Sequence, residues 1–408
     1  MPTSKPAQVG AAGTDVNYPP WVLAKAADGT PVRGAVIVFQ GTEPGAVAVT
    51  VTTGADGNAR LPRWRLPAQA GRATLEARHG TLVPVTFETD VRVRAYNLTI
   101  RLIGGDPGPD GLAAIAAAKE KIESIIFGDL PDIVLDIQPA CSFGGPPLPT
   151  LTDAVDDLLI LLRVRNIDGL GGAGGFGTPC LIRDPGAQPV VSLIELDSAE
   201  WVPSSPTEKY NIVLHEFTHA VGFVASLMTR SLPSGFSRQC MELPSRAAPN
   251  RLVQDTYFSC PNARAAFDRM GGIAYTGQKV PLENGGLIAG TQGSLNNHWR
   301  ETTFGVELMS AYYNPGVAPF SLATAAFLED MGYEVSYAGA DSFTLTPPIS
   351  SLLLGSFGAG LRSYEGDRDI APAMQVLTSH PTITPAVSGP SRASGPRSSA
   401  CTKCGGPP

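Results

Sequence analysis

Long apolar runs are missing from this chain. No stretch approaches the ~18 consecutive apolar residues of a membrane-spanning helix, so no transmembrane segment is expected. Charge is scarce: Asp, Glu, Lys and Arg make up 16% of 408 residues. The net charge of −7 comes without a basic cluster, which removes the electrostatic footprint of a nucleic-acid binder. Residues 1–20 hold one lysine and no apolar core, and do not read as a secretory leader. Histidine occurs only five times, so a patterned group of histidines carries information.

The chain does have 43% apolar residues, 45 glycines and 37 prolines, a globular, loop-rich and β-rich balance. Its length allows two or three domains. Six cysteines are present. Cys141, Cys180, Cys240 and Cys260 allow three connectivities; pairing the first two and the last two would close one loop in each subregion. Cys401 and Cys404 form a lone C-x-x-C, which lacks the second pair of a zinc ribbon.

The informative stretch is Asn-Ile-Val-Leu-His-Glu-Phe-Thr-His-Ala-Val-Gly-Phe at 211–223. His215, Glu216 and His219 have the H-E-x-x-H spacing. On a helix, positions i and i+4 share a face with roughly 6 Å between stems, so both imidazoles can reach one Zn2+. Glu216 then lies beside the first ligand, where its carboxylate can take a proton from a metal-activated water. Thr207 is the expected N-cap and Glu208 suits the first turn. The bland alternative is a surface or core helix that carries these residues by chance.

Two imidazoles do not complete a catalytic zinc site, which usually has three protein ligands and a water. Gly222 lets the helix stop and the chain turn. Three histidines remain: His79 in a strand-like region, His380 in a Pro/Ser-rich tail, and His298 in Asn-Asn-His-Trp-Arg-Glu. Shortly after the last comes Phe304-Gly-Val-Glu-Leu-Met309-Ser310. Together, His215, Glu216, His219, Gly222, Phe223, His298, Trp299, Glu307, Leu308 and Met309 resemble the leishmanolysin-type metzincins. That pattern is H-E-x-x-H-x-x-G-F, a long insertion, a His-Trp segment, then Glu-Leu-Met entering a Met-turn. The compact metzincin spacing is not met, because Ala225 stands three residues after Gly222.

The resemblance implies a zinc endopeptidase acting on proteins or peptides. His215, His219 and His298 would hold the metal, Glu216 would be the general base, and Met309 would form a hydrophobic floor under the metal. A tyrosine near the Met-turn supports the transition state in some metzincins, which makes Tyr312 and Tyr313 candidates. A secreted or cell-surface location is also implied, although no leader is visible. One departure is plain: the family's pro-segment carries a metal-blocking cysteine, and here no cysteine precedes Cys141.

The expected architecture is α+β. Residues 1–19 read as disordered, 20–91 as an all-β sandwich, 92–340 as a metzincin-type catalytic domain with a twisted sheet and the zinc helix, and 341–408 as a low-complexity, largely disordered tail. Short apolar stretches near 22–26, 35–39, 47–52, 73–77 and 83–87, punctuated by Asp28-Gly29 and Asp56-Gly57, resemble the bacterial immunoglobulin-like repeats of surface adhesins. This resemblance implies spacing or surface association, and offers an alternative function as an adhesion protein using the metzincin domain as a scaffold. Asp110 should cap a helix reaching Phe127, and Asp156-Asp157 should form a turn before the buried strand 158–162. The glycines of 169–177 are expected to form a mobile, closely approached loop; they lack the Gly-Lys-Ser/Thr of a phosphate loop. Residues 190–196 are expected to be the edge strand lining a substrate cleft, and 224–297 one compact inserted subdomain. A helix over 321–331 closes the domain.

Overall fold

The computed structural model describes residues 7–43, 45–248, 251–275, 279–284, 295–345 and 374–376. Its N-terminal part is all β: β1 (Ala7–Ala11), β2 (Trp21–Leu23), β3 (Val36–Gly41), β4 (Val49–Thr52), β5 (Asn58–Arg60), β6 (Gly71–Arg78) and β7 (Val85–Arg92). One sheet has the order β1-β7-β6-β3-β4, and β2 pairs with β5 separately. Alternation sets the layers: Ala73, Leu75 and Ala77 of β6 point inward with Phe87 and Val91 of β7. They share one core with Val22 of β2, Ala59 of β5 and Trp64.

The disorder expected for residues 1–19 does not extend over 7–19. Here β1 pairs in parallel with β7. Asn17 then bonds the Val335 carbonyl (2.7 Å) and accepts the Tyr337 N–H (2.8 Å). The Tyr18 hydroxyl lies 2.7 Å from the Glu329 carboxylate and 2.8 Å from the Tyr337 hydroxyl. Burial and that carboxylate push Tyr18 well above its usual pKa, so it remains a neutral donor. A polar stretch reads as disordered when it has no apolar run, but these residues are ordered by distant partners.

The second part contains β8 (Leu98–Gly104), α1 (Gly108–Ile125), β9 (Ile133–Val134), β10 (Ala154–Val155), β11 (Leu158–Arg165), β12 (Gly175–Ile182), β13 (Pro189–Asp197), α2 (Ser198–Trp201) and α3 (Pro206–Ala220). Then come α4 (Ala225–Met228), β14 (Thr229–Ser231), β15 (Ser237–Gln239), β16 (Met241–Glu242), β17 (Ser245–Ala248), β18 (Arg251–Gln254), β19 (Tyr257–Phe258), α5 (Pro261–Arg269), β20 (Val280–Pro281), α6 (Glu301–Phe304), α7 (Leu322–Asp330) and β21 (Gln375–Val376). The fold is a mixed α/β one. Its main sheet has the order β21-β12-β13-β11-β8, with β8, β11 and β13 parallel and β12 antiparallel to β13.

Both faces of β11 are covered, which explains its unbroken apolar run. Leu158, Ile160 and Leu162 pack toward α1 and α3; Leu159 and Leu161 pack toward the 135–155 loops, where Cys141 is bonded to Cys180. Asp157 caps the start of this strand by accepting the Asn97 and Leu130 N–H groups, both at 2.6 Å.

Several expectations are corrected. The strand at 190–196 is central: β13 lies between β11 and β12, and beyond β12 the described residues hold only the two-residue β21, at Leu181 and Ile182. Pro179 inside β12 fits that position, since proline cannot donate to a second neighbour. The 224–297 insertion does not build a separate core among its described residues. Met228, Met241, Phe258 and Phe267 bury in the same cluster as α3, and Cys240 is bonded to Cys260. Asp110 sits in the first turn of α1, whose N-cap position is Pro107. The helix at 321–331 is α7, capped by Ser321 and followed by Gly332 at φ +92°. Most of 341–408, including His380, Cys401 and Cys404, lies outside the described residues; Gln375 and Val376 pair with Leu181 and Ile182 of β12.

On the loop-covered face, Glu195 is fully buried and accepts from Arg163 (2.6 Å) and Arg165 (2.8 Å). Removing one partner of such a group leaves buried charge uncompensated. Glu195→Ala is therefore expected to destabilise the fold by about 3–5 kcal/mol, read from urea unfolding; a loss under about 1 kcal/mol would show that the arginines find other partners.

Candidate metal centre

The helix carrying the motif is set by its start. Ser205 is the N-cap of α3: its hydroxyl accepts the Glu208 N–H (3.3 Å), and the Glu208 carboxylate accepts the Ser205 N–H (2.7 Å). This capping box, with Pro206 at the first helical position, displaces the expected cap at Thr207. From Asn211 to Ala220 every residue is buried, so α3 runs through the core. Gly177 of β12 explains how the sheet comes so close. A Cβ there would sit 2.4 Å from the Glu216 carbonyl oxygen, and one on Gly175 would meet Glu216 Cγ at 3.2 Å.

The three histidines meet. His215 Nε2 lies 3.0 Å from His298 Nε2 and 3.0 Å from His219 Nε2, and the third side of the triangle is 3.2 Å. All three rings are fully buried. His215 Nδ1 donates to the Leu308 carbonyl (2.7 Å), and His219 Nδ1 donates to the Phe223 carbonyl (2.7 Å). A carbonyl can only accept, so Nδ1 carries the proton on both rings and each Nε2 presents a lone pair. Burial holds His215 well below its usual pKa, with His219 and His298 adding to the shift. Burial likewise pushes His219 down to about 4, against the pull of the Phe223 carbonyl. The Nε2 lone pairs of His215 and His219, 3.0 Å apart, repel unless a cation lies between them. Nitrogen donors in this arrangement suit Zn2+. The residues therefore fit a metal ion, and these three could hold one.

The turn after α3 serves the second ring. Gly222 has φ +119°, and its N–H bonds the His219 carbonyl at 2.9 Å. That conformation brings Phe223 back so that its carbonyl reaches the His219 ring. Met309 is buried in the same core, and its carbonyl accepts the Trp299 N–H at 2.8 Å. The segment after the third histidine is thus tied to the segment that holds the first. Tyr312 is buried and Tyr313 half-buried. The Tyr312 N–H donates to Glu301 at 3.3 Å.

The leishmanolysin family profile matches residues 134–350, more than half of the chain. The chain belongs to the leishmanolysin family. No curated protein matches it. The leishmanolysins are zinc-dependent metalloproteases, which makes proteins the substrate class and accords with the three-imidazole cluster. Among the described residues no helix is long and apolar enough to cross a membrane. The other histidine in the described residues, His79, is exposed beside the Val36 carbonyl, just past β6 and away from the cluster. A second group, Asp129, Asp156 and Asp157, also gathers carboxylates within ligand distance, but Asp157 is committed to two backbone N–H groups.

Residue types alone did not reveal the carbonyls of Leu308 and Phe223, or β12 as the strand beside Glu216. A sequence signal for the latter existed: Gly175 and Gly177 alternate, so both fall on one face of a strand.

Two predictions follow from this packing. Gly177→Ala forces a Cβ into the Glu216 backbone and is expected to destabilise by about 1–3 kcal/mol, seen as a lower urea midpoint. Separately, burial pushes Glu301 up to about 7, with the Ser310 hydroxyl and the Tyr312 N–H pulling it down and Glu283 pushing it further up. Its folded pKa exceeds its unfolded one, so the fold binds more protons and the contribution of Glu301 is lost as pH rises from about 4.5 to about 7. Glu301→Gln should flatten the stability-versus-pH slope in that window; an unchanged slope would assign it to other groups.

Proposed function

We propose that this chain is a zinc-dependent metalloendopeptidase of the metzincin type, with Glu216 as the general base. The observation that carries the reading is the convergence of three imidazole Nε2 atoms, 3.0–3.2 Å apart, beside a glutamate on the same helix. When bound, zinc supplies Lewis-acid chemistry, polarising the scissile carbonyl and acidifying water. His215, His219 and His298 would hold it through Nε2, with Nδ1 of the first two fixed by backbone carbonyls. Glu216 takes the proton of the attacking water and delivers it to the leaving amine. Glu216 is fully buried, and Gly175 and Gly177 of β12 lie against it. Met309 and Gly222 support the site as turn residues, and Tyr312 and Tyr313 are the candidates for transition-state support.

The substrate reads as an extended peptide. Among the described residues, β12 is bordered on its outer side only at Leu181 and Ile182. Gly175–Thr178, beside Glu216, is buried, and a peptide backbone adding there as a strand takes the place of what covers it. This mode tolerates many sequences, as a general endopeptidase requires. The N-terminal β part, up to Arg92, is proposed as an immunoglobulin-like module serving as spacer or cell-surface attachment, supported by its two sheets around one core.

Zinc should be present at one ion per chain by mass spectrometry, and a chelator should abolish casein cleavage. Glu216→Gln should lower kcat by roughly two or more orders of magnitude while retaining the metal. Retention of full cleavage by that variant would remove Glu216 from the mechanism. Cleavage unaffected by complete metal removal would sink the proposal, and a protein that binds partners but never cleaves would favour the scaffold reading.

A further inference from the structure

Glu307 is almost completely buried, and its carboxylate serves three donors from two segments. One oxygen accepts the Met309 N–H. The other accepts the Ser321 N–H at 3.1 Å and the Thr324 hydroxyl of α7. An indole N–H can only donate, and Trp299 Nε1 lies 2.9 Å from Thr324 Oγ1. The hydroxyl therefore accepts from Trp299 and passes its own proton toward Glu307, which fixes the direction of the relay. Trp299 follows His298 directly, and its backbone N–H is bound by the Met309 carbonyl at 2.8 Å. Leu308, between Glu307 and Met309, presents the carbonyl that holds His215 Nδ1.

We propose that Glu307, acting through Thr324, is a positioning residue that locks the His298 segment and the His215-holding carbonyl into one unit and thereby sets metal affinity. It touches no metal; it acts through Trp299 and Leu308. Three accepted hydrogen bonds at a buried carboxylate make the unit stiff, because each one lost leaves a buried polar group without its partner. The two rings concerned come from distant parts of the chain, and among the described residues no single helix or strand carries both. The inference rests on the metal-binding reading above.

Thr324→Val keeps the side-chain shape and removes the relay. Zinc affinity by chelator competition, the visible spectrum of the Co2+-substituted protein and the melting temperature of the metal-free protein are measured on the full chain. Thr324→Val is expected to weaken zinc binding about 10–100-fold and to alter the Co2+ spectrum, the range found when a partner of a metal ligand is removed. Thr324→Ser, which retains the hydroxyl, should restore both. Should Thr324→Val not fold, Trp299→Phe cuts the same relay at its other end and should give the same two signatures. Zinc affinity within about twofold of wild type together with an unchanged Co2+ spectrum overturns the proposal, whatever the melting temperature, because that leaves Glu307 a purely structural role. A wild-type chain that binds no zinc fails differently: it removes the metal site itself, and this inference with it.

Discussion

Two neutral imidazoles, His215 and His219, bring their Nε2 lone pairs within 3.0 Å of each other beside the His298 ring, an arrangement that folding alone does not favour. These buried nitrogens repel, and burial holds both rings against relieving the repulsion by taking up a proton. Much of the surrounding fold can be understood as what holds this arrangement. Helix α3 is buried along its inner length, its start is fixed by a capping box, and glycines let the sheet press against it. The Leu308 and Phe223 carbonyls hold two rings in the tautomer that leaves Nε2 open. A cation between the rings would change the sign of that interaction, so the same constraint would favour metal binding.

The sheet and the site are related through β12. This strand contacts the helix on the side of Glu216 and carries Cys180, whose bond to Cys141 pins it to the loops on the far face. Gly177 serves proximity, since any side chain would push the helix away. The arginine pair on Glu195 stiffens the neighbouring strands from the opposite face. The inserted residues between α3 and His298 contribute to the main core, so the third imidazole is delivered by a segment anchored in the body of the protein.

The N-terminal β part is also more closely attached than its polar leading residues suggest. Asn17 and Tyr18 reach Val335, Tyr337 and Glu329, and Arg92 pairs with Glu334. Contacts between segments more than 200 residues apart leave no local pattern, which is why 7–19 reads as featureless in sequence. The Thr207 cap failed for a subtler reason: Ser205 offers the same chemistry two residues earlier, and Pro206 favours the earlier start. The edge-strand expectation at 190–196 took the strand nearest to α3 in sequence, whereas the hydrogen-bond order places 175–182 outside it.

Local chemistry was legible without a structure. The i, i+4 spacing of His215 and His219, the neighbouring Glu216, the glycine that ends the helix and the doubly covered run 158–162 are short-range features, determined by helix and strand periodicity. The His-Trp and Glu-Leu-Met segments were visible as words, and their resemblance to a family pointed to the third imidazole. Which carbonyls orient the rings, which strand stands at the edge, and how Glu307, Thr324 and Trp299 join into one network were decided only by the tertiary structure. Those relations bring together groups far apart along the chain, and no periodicity encodes a hydrogen bond whose donor and acceptor belong to different elements.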